Sequence, residues 1–171
     1  MIERVRGGGW HMIEEIDLVA MIADHSDLGR LCDRLEEVAD ALPGLPPAGA
    51  AVRLCQELEQ RPPMHEAYER ALLDTLFGSA PEAPGQEAAF QHIRRRSGSH
   101  VVQAQDLVTA LQPGGPRLPP STLGYMLRCY FEGCRCDMAF EELAILQFAG
   151  ERLTPDARAL LEHSLAMRCQ A

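Results

Sequence analysis

The stretch LGYMLRCYFEGCRCDMAFEELAILQF, residues 123–148, decides the fold class. Leu123, Met126, Tyr130, Cys134, Ala144 and Phe148 fall on one stripe with alternating steps of three and four. That period belongs to an α-helix packed against neighbours. Asp137 and Glu141 continue the same stripe, one helical turn apart. Two carboxylates stacked in this way repel each other by roughly a few tenths of a kcal/mol even in water. Buried without partners they cost far more. Either that face is open to water or other elements compensate it.

Three earlier segments carry the same kind of stripe. The first runs Leu18, Met21, His25, Leu28, Cys32, Leu35, Ala39, Leu42. The second runs Cys55, Leu58, Pro62, His65, Glu69, Leu72, Leu76, and the third Phe90, Ile93, Ser97, His100, Ala104, Leu107, Leu111. Pro and Gly separate them at PGLPPAG (43–49), GSAPEAPG (78–85) and PGGPRLPP (113–120). Thr154-Pro155 opens a short last helix, with Thr as N-cap and Pro at the first helical position. Pro62-Pro63 predicts a kink or restart in the second helix, just before His65. Short connections between long helices predict antiparallel neighbours. The expected architecture is all-α: an antiparallel up-down-up-down four-helix bundle with a short C-terminal fifth helix.

Composition agrees. The 171 residues suit one domain with a sizeable core, and Ala, Leu, Glu and Arg are common while aromatics are few. Residues 13–171 are expected to form the bundle. Residues 1–12, MIERVRGGGWHM, are Gly-rich, lack a periodic face and are expected to form a flexible arm. A net charge of −9 argues against nucleic acid or an anionic membrane as partner. The basic run Arg94-Arg95-Arg96 is too short to reverse that and reads as a solvated helix face. No apolar stretch is long enough to span a membrane and no signal peptide is evident, so a cytoplasmic location is expected. Six irregularly spaced cysteines, five in predicted helices and Cys169 near the C-terminus, read as reduced and mostly packed thiols.

Each stripe holds at least one side chain able to bind metal: His25; His65 and Glu69; His100; Asp137 and Glu141. Counted from the shared turns at about 1.5 Å per residue, these groups fall in one slab of the bundle. Each taken singly would read as an ordinary core histidine or a solvent-facing acid pair. Together, three imidazoles and three carboxylates suit a pair of cations, with two carboxylates bridging and the rest terminal. N/O ligation of this kind fits iron first, then manganese or zinc. Spacings of one turn, His65 to Glu69 and Asp137 to Glu141, put both side chains on one metal edge.

Taken in order, these motifs resemble the hemerythrin-like (HHE cation-binding) family. Its pattern is His on the first helix, His-x-x-x-Glu on the second, His on the third and His-x-x-x-Glu on the fourth. DHSDLGRLCDRLE (24–36), HEAYE (65–69), SHVVQAQ (99–105), residues 123–142 and GERLTPD (150–156) carry the likeness, which covers about residues 15–165. Two departures stand out. Asp137 takes the place of the family's fourth-helix histidine, which adds negative charge and favours harder ions. RALLDTLF (70–77) lacks the acidic, Phe-Pro-containing continuation usual after the second motif.

The resemblance implies two iron ions (alternatively Mn or Zn) in a non-haem dinuclear centre that binds or reacts with O₂, NO or peroxide. His25, His65, His100 and Asp137 would then be terminal ligands, with Glu69 and Glu141 bridging. No side chain stands out as a catalytic base or nucleophile. The alternative is a degenerate bundle that serves as a regulatory or protein-interaction module, its metal site weakened or lost. A further possibility is a redox sensor using Cys134 or Cys136 beside the metal.

Tyr130 and Cys134 precede Asp137 on the stripe and could reach the site, though plain packing is the simpler reading. Cys134 and Cys136 point to nearly opposite sides of a helix and form no chelate. Arg96, one turn before His100, could orient a carboxylate, but solvent is its expected destination. His11, His92 and His163 lack ligand company and read as surface residues. Oligomeric state is left open.

Overall fold

The apolar stripes become five α-helices in the computed structural model, which describes residues 12–78 and 83–168. They are α1 (Glu15–Asp40), α2 (Ala48–Phe77), α3 (Gln86–Leu111), α4 (Pro120–Ala149) and α5 (Pro155–Arg168). A single 3₁₀ turn, Gly150–Arg152, joins the last two. Among the described residues the one extended pairing is an isolated parallel bridge between Ile13 and Leu153. The Ile13 N–H donates to the Arg152 carbonyl at 2.7 Å, and the Thr154 N–H donates to the Ile13 carbonyl at 3.0 Å. The expected arm lies outside the described residues except for Met12, which is exposed. No helix among the described residues is long and apolar enough to cross a membrane.

Helix ends follow local chemistry. Gly78 closes α2 with φ 68°, and its N–H donates to the Asp74 carbonyl at 3.0 Å. A left-handed position of this kind favours glycine. Thr154 caps α5, its hydroxyl accepting the Ala157 N–H at 3.2 Å, with Pro155 at the first helical position.

Helix α1 packs on α2 and α4, and α3 packs on α2 and α4, while α5 lies against α1 and α4. Three of these pairings run in opposite chain senses. Asp24 meets His65 and Arg34 meets Glu57 between α1 and α2. Arg94 meets Asp74, and Cys55 reaches Val108, between α3 and α2. His25 meets Glu141, and Arg128 meets Asp40, between α1 and α4.

Two apolar cores result. One gathers Leu28, Leu31, Leu35, Leu58, Leu107 and Leu127 with their neighbours. The other gathers Leu18, Met21, Leu73, Phe90, Ile145 and Leu161 with theirs. In each long helix the buried residues between the two cores are polar, Pro62 apart: His25; His65 and Glu69; Ser97 and His100; Glu141 and Glu142. This break in the apolar packing positions the candidate site.

Three expectations need correction. Of the kink or restart expected at Pro62-Pro63, the restart does not occur: helix α2 continues as one element to Phe77. The two prolines remove the N–H donors that would meet the carbonyls of Leu58 and Glu59. Burial of Leu58 and Pro62 on one side and of His65 and Glu69 on the other holds the segment helical. Tertiary packing here overrides propensity. Beyond Glu69 the buried face of α2 passes to Leu73, Leu76 and Phe77, leaving Leu72 half-buried. On α4 the buried face widens to Leu127, Phe131, Met138 and Ile145, because α1, α3 and α5 all pack against it. Met126, Asp137 and Phe148 therefore sit at its margins, half-buried.

Candidate metal centre

Glu141 stands at the middle of the polar layer. Its Oε2 lies 3.0 Å from His25 Nε2 and its Oε1 lies 3.5 Å from His65 Nε2. His25, His65 and Glu141 are all buried, and one ligand atom from each falls within 4.8 Å of the others. The two rings lie tilted at 57° to each other with centroids 5.5 Å apart.

Each imidazole is held from behind. His25 donates from Nδ1 to Glu142 Oε1 at 2.7 Å, and His65 donates from Nδ1 to Asp24 Oδ2 at 2.6 Å. Both Nε2 atoms are thereby aimed at Glu141. A carboxylate behind each ring is the usual way a metal-ligating histidine is fixed and made more basic. Sequence reasoning missed Glu142 and Asp24. Each directly neighbours a stripe residue in sequence, about 100° around the helix, and so reaches across to the next helix. The doublets Asp24-His25 and Glu141-Glu142 were the available signal.

The remaining expected ligands divide. Glu69 Oε2 lies 3.8 Å from His65 Nε2 and accepts a short hydrogen bond from the Ser97 hydroxyl. His100 Nε2 lies 3.2 Å from Asp137 Oδ2, without the alignment of a hydrogen bond. Arg96 donates from Nε to that same oxygen at 2.8 Å. Arg96 therefore orients a carboxylate instead of merely reaching solvent, the less favoured of its two expected roles. The six candidates form a close group of His25, His65 and Glu141 with Glu69 beside it, and a second pair, His100 and Asp137, under a guanidinium.

Tyr130 is buried, with its ring edge-on to His100 at 5.8 Å between centroids, and its hydroxyl has no hydrogen-bond partner. Burial pushes its pKa up. Cys134 is buried beside it, and burial pushes that thiol well up, with Cys32 adding to the effect. A group held as the thiol is a poor ligand and a poor nucleophile. Cys136 is exposed on the other side of the helix, and the five described cysteines are all free. His92 and His163 are exposed, while His11 and Cys169 lie outside the described residues.

Electrostatics follow from this geometry. Burial alone would depress the pKa of His65, but Asp24 and Glu141 outweigh it and raise it to about 10. His25 is raised in the same way, Glu141 and Glu142 overcoming its burial. Burial would raise Glu141, yet His25 and His65 hold it well below the usual carboxylate range. Glu69 is pushed up to about 8 by its own burial and by the charge of Glu141. Burial lowers His100, and the Arg96 charge adds to that against the pull of Asp137. Without a cation, protons on His25 and His65 balance the buried carboxylates.

The residues fit a cation. Glu69 Oε1 and His100 Nε2 are buried atoms with no hydrogen-bond partner, and both belong to the expected ligand set. Buried polar atoms are normally satisfied, so such orphans call for an explanation. The donor set of imidazole and carboxylate suits a first-row transition ion. A cleft of about 680 Å³ between α1, α4 and α5 has His25 in its lining, together with Ser26, Ala139, Leu160 and Met167.

No protein-family model, curated protein or solved structure matches the chain. The assignment of a role therefore rests on the site's own chemistry.

Two expected results arise here. Metal must displace the protons on His25 and His65, so binding releases protons and tightens as pH rises. Titration calorimetry in buffers of different ionisation enthalpy checks this, with net proton release expected on binding. The metal-free protein behaves oppositely. The His65 pKa is raised from 6.5 to about 10, so its contribution to stability is complete below the lower value and lost as pH rises through the upper. Denaturant melts across that window should show the metal-free form weakening.

The second concerns α5. Arg168 donates from Nε to Glu142 Oε1 at 3.1 Å, with Nη2 at 3.0 Å, and Glu142 in turn holds His25. Arg168→Ala should destabilise the chain by about 1–3 kcal/mol, because it strips a buried carboxylate of a charged partner. Metal affinity should fall roughly tenfold through the loosened His25. Hydrogen exchange over α5 and a metal titration check the two effects.

Proposed function

We propose that this chain is a non-haem metal protein, a hemerythrin-like up-down-up-down four-helix bundle with a short fifth helix. Its polar layer would hold two ions, iron in the first instance. The observation that carries the reading is Glu141 lying between His25 and His65, each imidazole fixed from behind by its own carboxylate. His25, His65 and Glu141 would take the first ion, and His100 with Asp137 the second, with Glu69 and Glu141 bridging. Bound iron would supply open coordination positions for a small ligand: O₂, NO or peroxide. The chain's part is to fix six donors, exclude bulk water through two flanking apolar cores and admit that ligand by the cleft at His25.

Residence in the cytoplasm belongs to the same proposal, supported by five free cysteines. The acidic balance of the sequence speaks against nucleic acid and anionic membranes as partners. The testing experiment is anaerobic loading with Fe(II), removal of free metal, then addition of NO or O₂ while the absorption spectrum is followed. A ligand-dependent charge-transfer band supports the reading. Retained iron that ignores both gases counts against the small-ligand role.

One observation favours a second reading, the degenerate regulatory module. The His25–Glu141 and Arg96–Asp137 contacts already neutralise charge inside the layer without a cation. A chain that retains no metal yet is fully stable would support that reading instead.

A further inference from the structure

The Asp137 side of the polar layer differs from the Glu141 side in one respect: it already has a fixed cation. Arg96 donates from Nε to Asp137 Oδ2 at 2.8 Å, the oxygen that lies 3.2 Å from the unpartnered His100 Nε2. Gly133 makes room for both groups. A Cβ at that position would fall 3.1 Å from Arg96 Nη2 and 3.2 Å from His100 Nε2. The guanidinium and the imidazole thus share a cradle that a side chain on α4 would crowd. Arg96 is about one-third exposed, at 38% of its side chain, so water is an alternative place for its head group. His25, His65 and Glu141 have no guanidinium among them; Arg168 is one step removed, on Glu142.

We propose that Arg96 is a built-in competitor for the second cation and makes loading of the layer sequential. The first ion enters at His25, His65 and Glu141. The second binds at His100 and Asp137 only when Arg96 gives up Asp137 and turns toward solvent. Two forces oppose that second step: a charge-assisted hydrogen bond must break, and a like charge must leave. Asp137 contributes as well, since its negative charge is what recruits the guanidinium. The inference rests on the metal reading of the preceding subsection and adds an order and a gatekeeper to it.

The test is an anaerobic Fe(II) titration followed by calorimetry, with native mass spectrometry counting the ions per chain. Wild type should bind one ion and then a second at least about tenfold more weakly. In Arg96→Gln the second constant should tighten by about tenfold, equivalent to about 1.4 kcal/mol, while the first is unchanged. Asp137→His removes the partner that Arg96 holds, so Arg96→Gln should tighten the second constant less in that background than in wild type, and an undiminished effect would overturn the competitor role. Two ions bound with equal affinity by wild type would overturn the proposal. So would an Arg96→Gln variant whose second constant is unchanged or weaker. If folded wild type binds no iron, the metal reading itself fails and takes this inference with it. Far-UV circular dichroism confirms that the variants fold.

Discussion

Glu141→Gln should abolish tight metal binding while leaving the chain helical. The Glu141 carboxylate is the one group that both buried imidazoles face, at 3.0 Å from His25 and 3.5 Å from His65. Loss of a group that merely orients a ligand costs roughly 10–100-fold in affinity. Loss of a shared charged ligand should therefore cost more than about 100-fold. The amide keeps the volume, so the packing around it survives. His25 loses one of two carboxylate partners and His65 one of three, and their raised pKa values should move back toward normal. Metal analysis after desalting reads the first effect, and histidine titration by NMR reads the second. A variant that keeps its metal would show that Glu141 is not a ligand.

Leu35→Ala should produce the largest loss of stability with the least effect on the site. Leu35 is fully buried in the core that includes Leu31, Leu58 and Leu127. Truncating a buried leucine costs about 2–5 kcal/mol, from lost transfer energy and the cavity left behind. In a chain of this size each kcal/mol lowers Tm by about 2–4 °C. Leu35 lies in one apolar core, whereas the polar layer sits between that core and the other. Metal stoichiometry in the folded variant should therefore match wild type. A lost site with an unchanged Tm would contradict this separation of core from centre.

Periodicity conveyed most of this arrangement. On α3 every residue of the expected stripe, from Phe90 to Leu111, is buried. On α1 the stripe holds from Leu18 to Ala39. The interruptions by His25, His65, Glu69, His100 and Glu141 were visible for the same reason: an imidazole or acid on an apolar face stands out. Periodicity failed where its assumptions fail. It assumes a single buried face, which α4 exceeds by packing against three helices. It treats prolines as breaks, which flanking burial in α2 overrides.

Asp24 and Glu142 were missed because they lie beside the stripe and act on a neighbouring helix. Arg168 was beyond reach altogether: its partner is set by how α5 docks, and spacing along one helix says nothing of that. Arg96 was noticed as a group that could orient a carboxylate. Only the placement of Asp137 and Gly133 around it gave that role a meaning.

The most direct measurement is metal content of the full chain after anaerobic loading with Fe(II) and removal of free metal by desalting, set beside Glu141→Gln treated identically. The expected result is iron retained by wild type and lost by the variant, both equally helical. Wild type that folds and retains no iron, manganese or zinc would contradict the central claim that cations complete the layer between the two cores.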